Sequence, residues 1–195
     1  LFSEMLDLII KNGQCYIDGE LKEVDVAIQD GKIYKIGQIS EEAKETINAE
    51  GQTVLPGCID TQTHFREPGS TDTEDLHSGS RAAIAGGITS VFEMPNTNPP
   101  TSTKVEFQKK LDLARNRMYC NYAFYFGATA DNANELADLV NLEGCCGIKL
   151  FAGSSTGNLL VAEEESLSFS LSLSLSLFLS LSFSISLHRS LLFSL

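Results

Sequence analysis

The chain has 195 residues, 43% of them apolar and 21% charged, which suits one ordinary core or a small domain joined to part of a larger one. Its net charge of −12 argues against a nucleic-acid-binding surface, because phosphate recognition needs concentrated Lys and Arg. A small polar metabolite is the better partner.

Residues 7 to 55 read as short strands. Asp7–Ile10 and Gln14–Ile17 flank Asn12-Gly13, and Val24–Gln29 and Lys32–Gly37 flank Asp30-Gly31. Both dipeptides are hairpin-type turn signals. Val24, Val26 and Ile28 alternate with Asp25, Ala27 and Gln29, as in a strand buried on one face. Residues 1–55 are therefore expected to form a small β-module. No signal peptide is expected at the N-terminus, since Glu4 and Asp7 interrupt its apolar residues and no basic segment precedes them.

After Pro56-Gly57 the rhythm changes to strand, loop, helix. The expected order begins with strand Cys58–Thr63 and a helix over about Thr73–Ala85, capped by Asp72 and ended by Gly86-Gly87. Strand Ile88–Met94, a helix over about Thr103–Asn116, strand Tyr119–Gly127, helix Asn132–Leu142 and strand Cys146–Phe151 follow. Four strands alternating with three helices imply an α/β fold with a parallel sheet, either doubly wound or a (β/α)8 barrel. His64, Arg66, Asn96 and Lys149 fall at strand C-termini, where both architectures build their sites.

The five cysteines form no C-x-x-C pair, so a zinc knuckle or thioredoxin-like motif is not expected. An odd, irregular set suits free thiols in a reducing compartment, and the cytoplasm is the expected location. From Ser166 to Leu195 every residue is Ser, Leu, Phe or Ile except His188 and Arg189. Such a strand would be an aggregation hazard, and its serines make it a poor membrane span. A CT dinucleotide repeat read in triplets gives Leu-Ser-Leu-Ser. Residues 166–195 are therefore expected to be a repeat or frameshift product with no role for His188.

By spacing alone, Asp60, Gln62 and His64 are a weak metal signal, because a single imidazole is more often structural than a ligand. The surrounding sequence is more specific. Asp60-Thr61-Gln62-Thr63-His64-Phe65-Arg66-Glu67-Pro68 resembles the segment that opens the barrel of dihydroorotases and related cyclic amidohydrolases. Glu93-Met94-Pro95-Asn96-Thr97-Asn98-Pro99 resembles the loop after that family's second strand. Gly147-Ile148-Lys149-Leu150-Phe151 resembles its fourth strand, and the β-module resembles the family's composite β-domain. The likeness covers about residues 5 to 165.

That resemblance implies the N-terminal part of a (β/α)8 amidohydrolase barrel over residues 56–165, preceded by a small β-sandwich-like module and truncated after about strand 4. It implies a divalent metal cofactor, zinc by family habit, with one or two ions in a complete chain. His64 matches a ligand of the first ion, and Lys149 matches the lysine that carbon dioxide converts to a carbamate. A lysine amine near pKa ~10.4 is a cation that repels metals, whereas its carbamate is an anion that can bridge two of them. The bridged ions then activate water for attack on the ring amide. Gln62 stands where the family has a second histidine, and a neutral amide oxygen is a poor zinc ligand.

Arg66 and Asn96 match the pair that holds a substrate carboxylate, a guanidinium offering two parallel hydrogen bonds. The implied function is dihydroorotate hydrolysis to N-carbamoyl-aspartate. Taken without the likeness, Arg66 could be a surface charge paired with Glu67 or Asp72, and Lys149 a strand-end lysine paired with a carboxylate. Gly153-Ser154-Ser155-Thr156-Gly157 is either a backbone N–H donor loop or a plain turn, and His77 is structural or exposed.

The family's two later histidines and its catalytic Asp, from the fifth, sixth and eighth strands, have no match after Val161. No catalytic residue is therefore assigned within this chain, and the fragment is expected to be inactive alone. A non-catalytic scaffold homologue and an allantoinase- or hydantoinase-type hydrolase are the alternatives. A complete protein would take a small cyclic amide, bind neither nucleic acid nor membrane, and form homo-oligomers or associate with pathway enzymes.

Overall fold

The computed structural model describes residues 5–139, 141–151 and 159. Gly153–Gly157 and the Ser/Leu-rich tail lie outside the described residues. The chain divides after Gly57 into two compact units.

The first unit is one five-stranded sheet. Strands β1 (Leu6–Ile17), β2 (Glu20–Gln29), β3 (Lys32–Gly37) and β4 (Ala43–Asn48) lie in the order β3-β2-β1-β4, and β5 (Thr53–Val54) also pairs with β1. The hairpins turn at Asp18-Gly19 (φ 52° and 87°) and Asp30-Gly31 (φ 53° and 68°). Two successive positive φ angles match the twist of the flanking strands. Asn12-Gly13 is not the hairpin turn its sequence suggests. Strand β1 runs straight through it, with a register shift between Ile10 and Gly13. A side chain at Gly13 would meet Val54 Cγ2 at 2.6 Å, so close packing accounts for the glycine.

Burial on β2 is also wider than alternation implies. Val26 and Ile28 pack with Cys15, while Ala27 packs on the other face with Leu6, Ile9 and Ile39. A second layer that would make this sheet a sandwich is not among the described residues.

The second unit alternates strands and helices. Its strands are β6 (Cys58–Thr63), β7 (Ile88–Glu93), β8 (Asn121–Gly127) and β9 (Cys145–Lys149). They are all parallel and stand in the order β6-β7-β8-β9. Sequential order without a reversal decides between the two candidate architectures. A doubly wound sheet reverses direction at a switch point, whereas a barrel does not. This is a partial TIM-barrel-like α/β fold.

Helix α1 (Leu76–Ala85) starts later than expected. Asp75, not Asp72, caps it, with its carboxylate accepting from the Ser78 N–H at 2.6 Å. Ser78 completes a reciprocal capping box, and Gly86 follows the last turn. Thr103 caps α2 (Lys104–Ala114) by accepting from the Glu106 N–H. The expected third helix is a short 3-10 turn, Ala133–Glu135, leading into α3, Leu136–Leu139. Asn132 does not open it with a side-chain cap. Its side chain instead accepts from the Thr129 N–H and donates to the Ser102 and Gly127 carbonyls. The core between sheet and helices centres on Leu76, Val91, Phe107, Phe124, Phe126, Leu136 and Leu139. No described helix is long and apolar enough to cross a membrane.

Candidate active site at the strand ends

Parallel strands aim their C-terminal ends at one rim, and three of these ends carry the predicted residues. His64 directly follows β6, Asn96 lies in the loop after β7, and Lys149 is the last residue of β9. Backbone bonds fasten the first two ends together. The Met94 N–H donates to the Thr63 carbonyl at 2.9 Å, and the Asn98 N–H donates to the Pro68 carbonyl at 2.9 Å. The loop after β7 is closed on itself by Thr97 and Thr101, whose N–H groups both donate to the Pro95 carbonyl.

His64 and Asn96 meet directly, with Nδ1 and Oδ1 3.0 Å apart. An amide oxygen only accepts, so Nδ1 carries the proton and Nε2 keeps its lone pair. Burial lowers the pKa of His64 below the usual imidazole value, and the charge of Arg66 lowers it further. Asn96 opposes the shift, and Lys149 and Lys110 add to it. The shift favours the neutral imidazole, and among the described residues Nε2 has no hydrogen-bond partner, which leaves it able to accept or ligate.

Arg66 is exposed and has a left-handed backbone, φ 60°, with its carbonyl accepting from the Ser70 N–H. Glu67 is not its partner. That buried carboxylate pairs with Arg117, at 2.8 Å, and accepts from the Leu76 N–H at the head of α1. Among the described residues Arg66 forms no salt bridge, and neither does Lys149. The Lys149 amine lies 5.3 Å from the centroid of the Phe151 ring. Gln62 and Asp60 are both exposed on β6, and the Asp60 carboxylate turns back to accept from the Gln62 N–H. His77 sits on α1 against Tyr119, with ring centroids 5.2 Å apart.

Whether these residues fit a metal is a matter of donor count. Among the described residues no group of three or more His, Cys, Asp or Glu could hold an ion. His64 supplies one prepared imidazole, and Lys149 becomes a donor only once carbamylated. The described residues thus supply part of a ligand set and do not fit a complete metal centre.

Two further residues stand directly behind the site without being apparent as such in the sequence. Glu93, at the end of β7, and Lys110, in α2, form a fully buried ion pair. A signal was available for each. Glu93 ends a strand that is otherwise half-buried or buried, and Phe107, Lys110 and Ala114 share the buried stripe of α2. A charge on such a stripe requires a partner.

Residues 53–165 match the Amidohydrolase family. The chain is 39% identical over 163 residues to a dihydroorotase of Methanosarcina mazei, covering 83% of this chain and 36% of that protein. It is 40% identical over 149 residues to an allantoinase of Salmonella choleraesuis, covering 76% and 33%. The fold is similar to the L-hydantoinase (dihydropyrimidinase) from Arthrobacter aurescens, with a TM-score of 0.77 and 30% identity over 85% of this chain and 37% of that one. The chain spans about a third of the length of the curated relatives it matches.

Proposed function

This chain belongs to the amidohydrolase family, and we propose that it is the N-terminal part of a metal-dependent hydrolase that opens a carboxylate-bearing cyclic amide, dihydroorotate. On this reading residues 56–165 are the first half of a barrel continued elsewhere. The β-module of residues 1–55 is one layer of a sandwich-like domain, and residues 166–195 are a repeat-derived tail. In the complete protein, His64 Nε2 and the Lys149 carbamate hold the divalent ion, zinc by its affinity for imidazole, with further ligands from outside the described residues. A cytoplasmic location fits the free cysteines. Homo-oligomers or a complex with other pathway enzymes are the expected assemblies.

The observation that carries the substrate is Arg66. Its expected competitor, Glu67, is taken by Arg117, which leaves an exposed guanidinium beside the His64–Asn96 pair. A guanidinium at that rim matches a substrate carboxylate in charge and geometry. Asn96 adds its amide N–H to the same anion while its oxygen steadies His64.

The test is a pair of substrates with one variant. Charge-assisted hydrogen bonds contribute about 1.5–3 kcal/mol. In the longest polypeptide that the locus encodes, Arg66→Met should therefore raise KM for dihydroorotate by about 10- to 150-fold. Hydrolysis of an uncharged hydantoin ring should change little. Equal losses on both rings would remove Arg66 from carboxylate recognition.

One observation favours a second reading, a scaffold homologue without turnover. Gln62 occupies the strand position where a second imidazole would stand, two residues before His64. A folded, complete protein that hydrolyses none of these rings would select that reading.

A further inference from the structure

Lys110 extends from α2 into the interior behind the strand ends. Its amine is fully buried, donates to the Met94 carbonyl at 3.0 Å, and pairs with the equally buried Glu93 carboxylate. It also lies 5.1 Å from the centroid of the Phe124 ring. The backbone N–H of Phe65 helps to keep the Glu93 carboxylate charged. These contacts bracket the site. Phe65 is the residue after His64, and Met94 lies two residues before Asn96. Thr63, just before His64, is tied to the Met94 N–H.

A buried ion pair is no more stabilising than well-packed apolar side chains of similar volume. Stability alone thus gives no reason to keep two charges where Met or Leu would fit, whereas directional contacts to both strand ends do. We propose that the Glu93–Lys110 pair is a positioning device that locks the ends of β6 and β7, so that His64 is held by Asn96 and presents Nε2 outward. This rests on His64 and Asn96 being the working pair of the proposed site. The geometry itself can be tested without turnover.

The measurement is the tautomer of His64 by 15N-histidine NMR on the full chain. The chain contains three histidines, and H64Q assigns the signal. In the native chain the Nδ1–H form should exceed the Nε2–H form at least about fivefold, the worth of one hydrogen bond. Lys110→Met should lower that ratio by about fivefold or more, while Leu136→Ala, a core truncation elsewhere in the same unit, should leave it unchanged. If Lys110→Met alone fails to fold, the uncharged double variant E93Q/K110M replaces it, with the same expected loss. The proposal is overturned if the native chain lacks the preference. It is also overturned if the folded Lys110 variant keeps the native ratio, or if Leu136→Ala lowers it equally. An inactive complete protein that retains the native ratio and its Lys110 dependence would instead count against the hydrolase reading alone.

Discussion

Replacing Lys110 with methionine should lower the stability of the barrel-like unit by about 3–5 kcal/mol, because it leaves one member of a buried ion pair without its counter-charge. The side chain is fully buried, so solvent cannot compensate. Removing both charges, in E93Q/K110M, should recover most of the loss, since no isolated charge then remains inside. Burial pushes the pKa of Glu93 up from 4.5 to about 7 even with Lys110 pulling it down, and without Lys110 it rises further. A carboxyl with a raised folded-state pKa contributes stability that is present below its unfolded value and lost as pH climbs through the folded one. The deficit of the single variant should therefore be largest above about pH 7 and shrink as pH falls toward 7, below which Glu93 is protonated with or without Lys110. Urea denaturation at pH 5 and pH 8 reads this directly. A deficit below 1 kcal/mol at both pH values would show that the pair is not energetically isolated from solvent.

Gln62→His should raise the affinity of the chain for zinc by more than about tenfold, the scale on which even a lost orienting partner of a ligand acts. Side chains two apart on a strand share one face, so the new imidazole would stand beside His64. His64 is already prepared for such a role. Its neutral form is favoured, its proton is committed to Asn96, and its other nitrogen has no hydrogen-bond partner among the described residues. The gain should vanish when His64→Ala is combined with Gln62→His. Calorimetric titration with zinc distinguishes this from adventitious binding. A gain that survives loss of His64 would mean that the two positions do not form one site.

The rim residues and the buried pair behind them differ greatly in how visible they are in the sequence. The strand-end residues could be located because loop and turn chemistry is local. Asp30-Gly31 forms the hairpin its sequence announces, and Pro56-Gly57 marks the change from one unit to the other. The matching motifs then gave each rim residue a meaning. Local chemistry was ambiguous at Asn12-Gly13: both residues tolerate the positive φ of a tight hairpin, but only Asn12 adopts it (φ 62°), and strand pairing turns the step into a register shift. The same holds at Asp72 and Asp75, two carboxylates three residues apart, where the reciprocal Ser78 bond selects the later one. Asn132 resembles a helix opener, but the carbonyls that occupy its side chain come from Ser102 and Gly127.

Glu93 and Lys110 are a harder case. Each residue is ordinary in sequence, and 17 positions separate them. The pairing exists only because α2 packs against the end of β7. The claim of Glu67 on Arg117, 50 residues away, is likewise tertiary, and it changes what Arg66 is free to do. Sequence motifs therefore located the rim of the site, whereas packing revealed what holds that rim in place.

On the proposed reading, these strand ends belong to a hydrolase that selects a carboxylate-bearing ring. The most direct measurement compares kcat/KM for dihydroorotate, hydantoin and allantoin on the longest polypeptide the locus encodes, with bound metal counted per chain. The expected result is metal-dependent turnover that favours dihydroorotate by at least about tenfold, one charge-assisted contact. A folded, metal-loaded protein that prefers hydantoin or allantoin, or that opens none of the three, would contradict it.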